Sequence, residues 1–447
     1  FKKIVVILLI LIILNILVYS LFYEKGELFV KDRDVVIGGE TVEETIKQIQ
    51  SEESEKEELG REVSKKDLTG EVLTVDQEKG FASERIGVFA GEICDIDIGD
   101  GNCIINLVHN VDGANFDYVT AGYTNLIFQN GGKFTTTAEN TFNLVANNIE
   151  IQSGGSIEGN VEITASNLNI QSGGSINVNG KGFASQTGPG AGEAGPDSGG
   201  GAGYGGVGRA GTFGGAGGSA YGLLANPTDF GSGGGSGDGG ASGGRGGGRV
   251  SISVTNNLNI NGLISANGNN GGTSATGAGG GGSGGSVLIN AGTITGVGNI
   301  NVNGGNGANG LTSTGGAGAG GRVAIYYASN SFNDNNIQVS GGSSNNGGGS
   351  GAIYKESQAQ TNALTGGDLI VNSGPLSNIK TPINETIFPG KRLENFIASG
   401  NADVSFALND GIFLNSLIIN NNFLIDNSAV ELDNDMSFNT ITLKNNG

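Results

Sequence analysis

Two cysteines and three aspartates lie close together in the stretch CDIDIGDGNC, residues 94–103. Cys94 and Cys103 are spaced to close a short disulfide loop, which an extracellular location would permit. The aspartates are Asp95, Asp97 and Asp100. With Gly101 they resemble a Ca²⁺-binding loop, but the spacing is one residue off and no distal glutamate follows. The stretch therefore predicts a disulfide, favours a plain acidic turn over a metal site, and indicates no other cofactor.

Little else in the sequence could carry acid–base or nucleophilic catalysis. His109 is the single histidine, and we expect it to be an ordinary strand or turn residue. A polysaccharide lyase or hydrolase needs clustered carboxylate or basic side chains on one outward face. The repeat described below instead presents mainly Asn, Ser and Thr outward, and the one basic, aromatic patch is FPGKRLENF at 388–396. We expect no enzyme here; the alternative is a polysaccharide-processing enzyme with its active site in the C-terminal region or outside this sequence.

Aromatic residues punctuate the longest glycine-rich segment. They are Tyr204, Phe213, Tyr221 and Phe230. Aromatic faces stack on sugars or anchor protein partners, so these four are candidate ligand-binding residues. The alternative is that they pin the glycine-rich segment to the rest of the fold. Arg249 and Arg322 each precede a strand, and we expect them to hydrogen bond to loop carbonyls.

A repeat after about residue 140 predicts the elements that position these residues. Segments starting at Val161, Val250, Val287 and Val323 each hold three apolar-x-apolar pairs within 18–20 residues, as in VEITASNLNIQSGGSINVNG. Each pair points to one side of a strand. Stacking such units buries an aliphatic column that no single unit could form. The sequence predicts an all-β fold, a right-handed parallel β-helix with three short strands per rung.

Glycine is concentrated at one place in this repeat. Each copy ends in Asn-Gly or Ser-Gly, and a glycine-rich excursion follows, at 181–249, 269–286, 305–322 and about 342–351. All four should leave at one corner, where stacked Asn side chains would form a ladder. Within the excursions glycine often recurs every third residue, which is the period of a polyproline-II helix. Packed polyglycine-II helices and disordered loops are the two alternatives.

The N-terminal part has a different composition. Residues 4–23 are a 20-residue apolar run after Lys2 and Lys3, which predicts a transmembrane anchor (1–23) with a cytoplasmic N-terminus; a cleaved signal peptide is the alternative. Residues 24–85 read as an acidic stalk. We expect an N-terminal β region at 86–146, the β-helix at 147–374, and a C-terminal β region at 375–447 that is truncated.

The repeat GSGGGSGDGGASGGRGGGRVSISV…LISANG, echoed by GGAGAGGRVAIYY, resembles the glycine-rich β-helical domains of large adhesin-like microbial surface proteins. The excursions are similar in pattern to the polyglycine-II bundles of some phage tail-tip adhesins. The resemblance covers about 147–374 and implies a structural or adhesive surface protein with glycan or protein ligands, but no catalytic residues. The net charge of −20 argues against nucleic acid as a partner. We therefore expect a membrane-anchored, extracellular protein that displays its glycine-rich loops.

Overall fold

The computed structural model describes most of the chain after residue 92, and four short strands before it. The described part is 93–444 with gaps at 98, 345–346, 364–365, 373–379, 385–392, 400–402, 408–417, 427–428 and 433–436. The predicted anchor at 4–23 lies outside the described residues, as does nearly all of the predicted stalk. Among the described residues, no helix has the length and apolar character needed to cross a bilayer.

The four short strands form two small pairs within residues 24–85. They are β1 (Val36–Ile37), β2 (Glu40–Thr41), β3 (Glu62–Ser64) and β4 (Thr74–Asp76). β1 pairs with β2 in antiparallel fashion, and β3 pairs with β4.

The rest of the described chain is all-β. In chain order its strands are β5 (Ile96–Asp97), β6 (Asn102–Ile105), β7 (Val108–Asn110), β8 (Asn115–Asp117), β9 (Asn125–Phe128), β10 (Lys133–Thr135), β11 (Thr141–Ile151), β12 (Ser156–Glu158), β13 (Asn160–Ile170), β14 (Ser175–Asn177), β15 (Arg249–Ile260), β16 (Leu263–Ser265), β17 (Ser286–Thr295), β18 (Asn299–Asn301), β19 (Arg322–Asn330), β20 (Ile337–Gln338), β21 (Ala352–Ser357), β22 (Gly367–Asn372), β23 (Lys380–Asn384), β24 (Leu393–Ser399), β25 (Asp403–Ala407), β26 (Ile418–Asp426), β27 (Ala429–Leu432) and β28 (Ser437–Lys444). The helices of the described part are α1 (Gln358–Ala363) and two 3₁₀ turns, Asp238–Gly240 and Asp334–Asn336.

These strands form two large sheets and one small one. The first sheet has the order β28-β26-β24-β22-β21-β19-β17-β15-β13-β11-β9-β6-β5, and β8 also pairs with β11. Its neighbours are parallel except at β5–β6 and β21–β22. The second sheet, β20-β18-β16-β14-β12-β10-β7, and the third, β23-β25-β27, are parallel throughout.

The strand register confirms how the repeat copies align. Val161 is opposite Val250, which is opposite Val287 and then Val323. These residues are fully buried and point into one continuous apolar core. Parallel strands buried in this way bring the same side chain of each copy into contact with its equivalent one strand spacing away.

Each copy contains two strands, whereas the sequence predicted three. The first two apolar pairs lie in one long strand, such as β13, in which Val161, Ile163, Leu168 and Ile170 are all buried. The consecutive half-buried residues at 166–167 shift the inward phase from odd to even positions without ending the strand. The third pair supplies the short strand, such as β14, with Ile176 facing the core.

The direction of the first sheet reverses between β21 and β22, inside the segment predicted as one β-helix. β21 and β22 are antiparallel, and α1 connects them. At this junction Ile353 belongs to the first core, whereas its neighbour Tyr354 and the opposing Leu369 belong to a second core on the other face of the sheet. Residues of β22 to β25 therefore enclose a second core together with Ala324, Ala352 and Tyr354 of β19 and β21.

Candidate binding surface at the tips of the glycine-rich segments

The four glycine-rich excursions leave the sheets at equivalent points, as the sequence predicted. Each begins after a short strand of the second sheet (β14, β16, β18 or β20) and ends where the next long strand (β15, β17, β19 or β21) begins. Since those strands are stacked in register, the excursions lie side by side along one edge of the stack.

The excursions are ordered by backbone hydrogen bonds that repeat every third residue. The segment 279–284 shows the pattern most fully, because successive N–H groups turn to three different neighbouring segments. The bonds, 2.8–3.0 Å long, are Gly279 to Gly272, Gly280 to Gly235, Gly281 to Gly316, Gly282 to Asn269, Ser283 to Ser232 and Gly284 to Ala319. Residues three apart thus donate to the same neighbour. Of the two alternatives for these segments, ordered packing with a three-residue period is the one that the structure has.

Glycine is required at many of these positions because backbones approach too closely for a side chain. A Cβ added to Gly282 would lie 2.0 Å from the carbonyl oxygen of Arg245. At Gly318 the corresponding distance to Gly282 O is 2.1 Å, and at Gly234 the distance to Gly280 O is 2.2 Å. The glycine periodicity therefore reflects close packing of neighbouring segments.

The far ends of the excursions meet and form what we call the tip surface. It consists of residues 196–198, 212–214, 238–240, 273–277 and 309–314. Hydrogen bonds link these turns. They include Thr212 N–H to Thr314 O (2.9 Å), Phe213 N–H to Ser198 Oγ (3.0 Å), Ser274 Oγ–H to Asp238 O (2.7 Å) and Ser313 Oγ–H to Asp197 O (3.1 Å). Residues more than a hundred positions apart in the chain thus share one surface.

Two large apolar side chains are open to solvent on the tip surface. Leu311 is 92% exposed and Phe213 is 54% exposed. Around them the exposed residues are small or polar, with two carboxylates, Asp197 and Asp238. Exposed apolar side chains held on an ordered frame are typical of a contact surface for a partner.

Of the four aromatic residues predicted to bind ligand, Tyr204 and Tyr221 instead hold the base of the long excursion. Tyr204 is completely buried, its ring lies 4.7 Å from that of Tyr221, and its hydroxyl hydrogen bonds with Ser286 Oγ at 2.6 Å. Burial raises the pKa of the Tyr204 phenol to about 12. Since a buried ring offers no face to a ligand, the prediction is wrong for Tyr204, and the pinning role applies.

The other two rings differ from each other. Phe230 is half-buried, packs edge-on against Phe183 at 5.9 Å, and lies under the guanidinium of Arg249. Phe213 alone of the four is open enough to meet a partner. The sequence analysis did not identify Leu311, whose signal was a single large apolar residue in the otherwise small and polar excursion 305–322.

The two arginines bind loop carbonyls, as predicted. Arg322 is fully buried and donates from Nε to Tyr221 O (3.1 Å) and from Nη2 to Tyr204 O (3.3 Å). Arg249 occupies the equivalent register position two strands earlier, donates to Thr228 O at 3.2 Å, and forms an ion pair with Glu162.

The cysteine and aspartate loop at 94–103 forms the first turn of the described fold. Cys94 and Cys103 are joined in a disulfide, as the spacing predicted. Each aspartate is engaged within the protein. Asp95 accepts from the Asn106 and Leu107 N–H groups and from His109 Nε2, Asp97 from Gly99 N–H and the Tyr123 hydroxyl, and Asp100 from Asn102.

In the part of the chain that the structure describes, no three His, Cys, Asp or Glu side chains converge as a metal centre would require. The geometry at Asp95, Asp97 and Asp100 therefore gives no support to the Ca²⁺ alternative.

The predicted asparagine ladder is present at the corner where the excursions begin. Asn179 Oδ1 accepts from Asn267 N–H (2.6 Å), Asn267 Oδ1 from Asn303 N–H (2.7 Å), and Asn303 Oδ1 from Ser340 N–H (2.8 Å). Each amide oxygen is thus used by the backbone of the next copy. The ladder is a structural device and offers no oxygen to a ligand.

One group of titratable side chains lies at the β21–β22 junction. Lys355 is opposite Asp368 in the strand register, and Lys355 Nζ is 2.5 Å from Asp334 Oδ1. Asp368 Oδ1 accepts from Asn395 and Gln360. Burial, with a further contribution from the charge of Glu394, raises the pKa of the Asp368 carboxyl. Of the basic, aromatic patch at 388–396, residues 388–392 lie outside the described part.

Comparisons with known proteins give no relative for this chain: no protein-family model, curated protein or solved structure matches it.

Proposed function

We propose that this chain is an adhesin-like or structural protein of a cell surface, which binds glycans or other surfaces through its tip surface. The observation that carries the proposal is the convergence of the excursion ends, which places the exposed Phe213 and Leu311 in hydrogen-bonded turns on an ordered frame. Binding of this kind needs exposed contact residues on a rigid support, because ordering a floppy loop on binding costs conformational entropy.

The architecture behind this proposal is a right-handed parallel β-helix. The parallel sheets, their residue-for-residue register and the continuous apolar core support it. The glycine-rich excursions would form a polyglycine-II bundle, which the three-residue hydrogen-bond period supports. In this arrangement the β-helix is the stiff support and the bundle holds the tip surface.

The surface location is also part of the proposal. The disulfide between Cys94 and Cys103 fits an oxidising environment outside the cytosol. The apolar run at 4–23 would anchor the chain in the membrane with its N-terminus in the cytoplasm.

The test measures retention of the full chain on immobilised polysaccharides and on whole cells. Phe213→Ala combined with Leu311→Ala should reduce retention at least tenfold, because both apolar contacts are removed from the tip surface. The matched control is Val297→Ala, since Val297 is 80% exposed but lies in a turn held by Asn261 and not at the tips. Equal retention of wild type and the double variant would reject the tip surface as the binding site.

A polysaccharide lyase or hydrolase is the second candidate. The observation that favours it is the Asp368 carboxyl, which lies beside Lys355 and Glu394 and whose pKa is raised by burial, the direction that a general acid requires. The same polysaccharide panel, assayed for new sugar ends, separates the candidates. Release that is lost in Asp368→Asn would support the enzyme, and retention without release would support the adhesin.

A further inference from the structure

The part of the long excursion that carries Phe213 is a closed lobe, residues 204–221. Its two arms are bonded to each other from Gly208 N–H to Gly218 O and from Gly211 N–H to Gly215 O, each at 2.8 Å. Phe213 lies at the turn between the arms. The lobe is closed at its base, where Tyr221 N–H donates to Tyr204 O at 3.1 Å.

One side chain of the strands, that of Arg322, hydrogen bonds to both ends of this lobe. Arg322 is the first residue of β19 and donates to the Tyr204 and Tyr221 carbonyls, which are the first and last of the lobe. Its guanidinium carbon also lies 5.5 Å from the centre of the Tyr204 ring. A planar guanidinium reaches two acceptors from one position, which an ammonium group does less well.

Burial of the charged Arg322 guanidinium costs hydration free energy, and its contacts in the fold must compensate for that loss. Arg322 is completely buried, it forms no salt bridge within the described part of the chain, and its Nη1 has no hydrogen-bond partner there. A buried charge is retained only where hydrogen bonds and ring contacts offset the lost hydration. The side-chain contacts of Arg322 all go to the base of the lobe. They connect the lobe to β19, a strand about a hundred residues later in the chain.

We propose that Arg322 is a positioning residue for the tip surface, a clamp that fixes the base of the 204–221 lobe and thereby orients Phe213. This rests on the proposed function for the role of Phe213, but the clamp itself is defined by the lobe contacts. Since Arg322 belongs to β19, the position of the lobe base is coupled to the strand stack.

The test is hydrogen exchange of backbone amides in the full chain, and it requires no ligand. Arg322→Met should lower protection of the amides of Gly208, Gly211 and Gly218 at least tenfold, while the amides of β15 keep wild-type protection. Arg249→Met is the matched control, because Arg249 holds the same register position but contacts neither end of the lobe. It should leave lobe protection unchanged.

Arg322→Lys keeps the charge but not the two-carbonyl grip, and it decides the outcome if the methionine variant does not fold. Lobe protection lost in Arg322→Lys with an intact β15 supports the clamp. Wild-type lobe protection in either variant overturns it, and so does an equal loss of protection in lobe and strands, since Arg322 would then serve only overall stability. Retention assays are separate, so failure of tip binding with a loosened lobe would count against the proposed function and not against the clamp.

Discussion

At the scale of single residues, polar side chains occupy inner register positions near both ends of the described part of the first core. His109 is aligned with Phe134 and Ile157 in the second sheet, and it hydrogen bonds to Asp95 at 2.7 Å. At the other end Lys355 is aligned with Ile325 and reaches Asp334. His109 lies in strand β7, in agreement with the strand or turn residue that we expected, and its bond to Asp95 partners the ring nitrogen beside the apolar core.

The disulfide between Cys94 and Cys103 gives a prediction at this scale. Replacing both cysteines, C94A with C103A, should lower the free energy of unfolding by about 2–3 kcal/mol, since a short loop is no longer closed in the unfolded chain. Urea unfolding followed by circular dichroism measures this. Wild-type protein in reductant serves as the control and should match the double variant. Equal stability of oxidised wild type and the double variant would contradict the prediction.

At the scale of elements, the sequence allowed the strands to be predicted better than the connections within them. The apolar pairs at 161–163 and 168–170 mark the inward residues correctly, because alternation depends only on which side chains are buried. The phase change between the two pairs was interpreted as the end of one strand and the start of another. A strand that changes phase and a strand that ends have the same apolar pattern in sequence. The glycine period was compatible both with packed polyglycine-II helices and with disordered loops. Only the hydrogen bonds between distant excursions distinguish these two alternatives.

The glycine segments give the prediction at the element scale. Gly282→Ala places a Cβ 2.0 Å from the Arg245 carbonyl oxygen, so the segments must move apart. We expect a loss of about 1–3 kcal/mol in the free energy of unfolding, as for other over-packed sites. Gly272→Ala is the matched control within the same excursion, because its nearest neighbour is the Ser242 hydroxyl at 3.1 Å, a side chain that can rotate away.

Urea unfolding of the two variants beside wild type checks this prediction. The control should change stability by less than about 0.5 kcal/mol, as most open surface substitutions do. If Gly282→Ala were as stable as Gly272→Ala, the close approach of segments could not be what requires glycine there.

At the scale of the whole molecule, the described chain contains two strand stacks that meet at β21 and β22. Ser357 and Gln360 form a capping box that marks the start of α1, but the sequence did not reveal the reversal, because the change of core face depends on tertiary contacts. The outer face of the first stack at Ala324 and Tyr354 becomes the interior of the second core. Leu224 and Ala225 of the long excursion also contribute to that core, so excursion and junction share buried surface.

The junction should respond to pH through Asp368. Burial raises the pKa of this carboxyl above its ordinary value, and Glu394 adds repulsion that Asn395, Lys355 and Gln360 only partly offset. The folded chain therefore holds this proton more tightly than the unfolded chain, whose aspartates have a pKa near 4, on the order of the value in model peptides. Stability at this site is greatest below that value and is lost as the pH rises through the folded pKa.

Asp368→Asn tests this because it imitates the protonated carboxyl at every pH. Its unfolding free energy in urea, relative to that of wild type, should rise with pH, because wild type loses stability as Asp368 ionises next to Glu394 and the variant does not. Glu394→Gln, which removes the repelling charge, should reproduce part of the gain at pH 7. A difference between Asp368→Asn and wild type that is the same at every pH would mean that the carboxyl titrates alike in folded and unfolded chains, and the junction would then have no acid-dependent contribution from this residue.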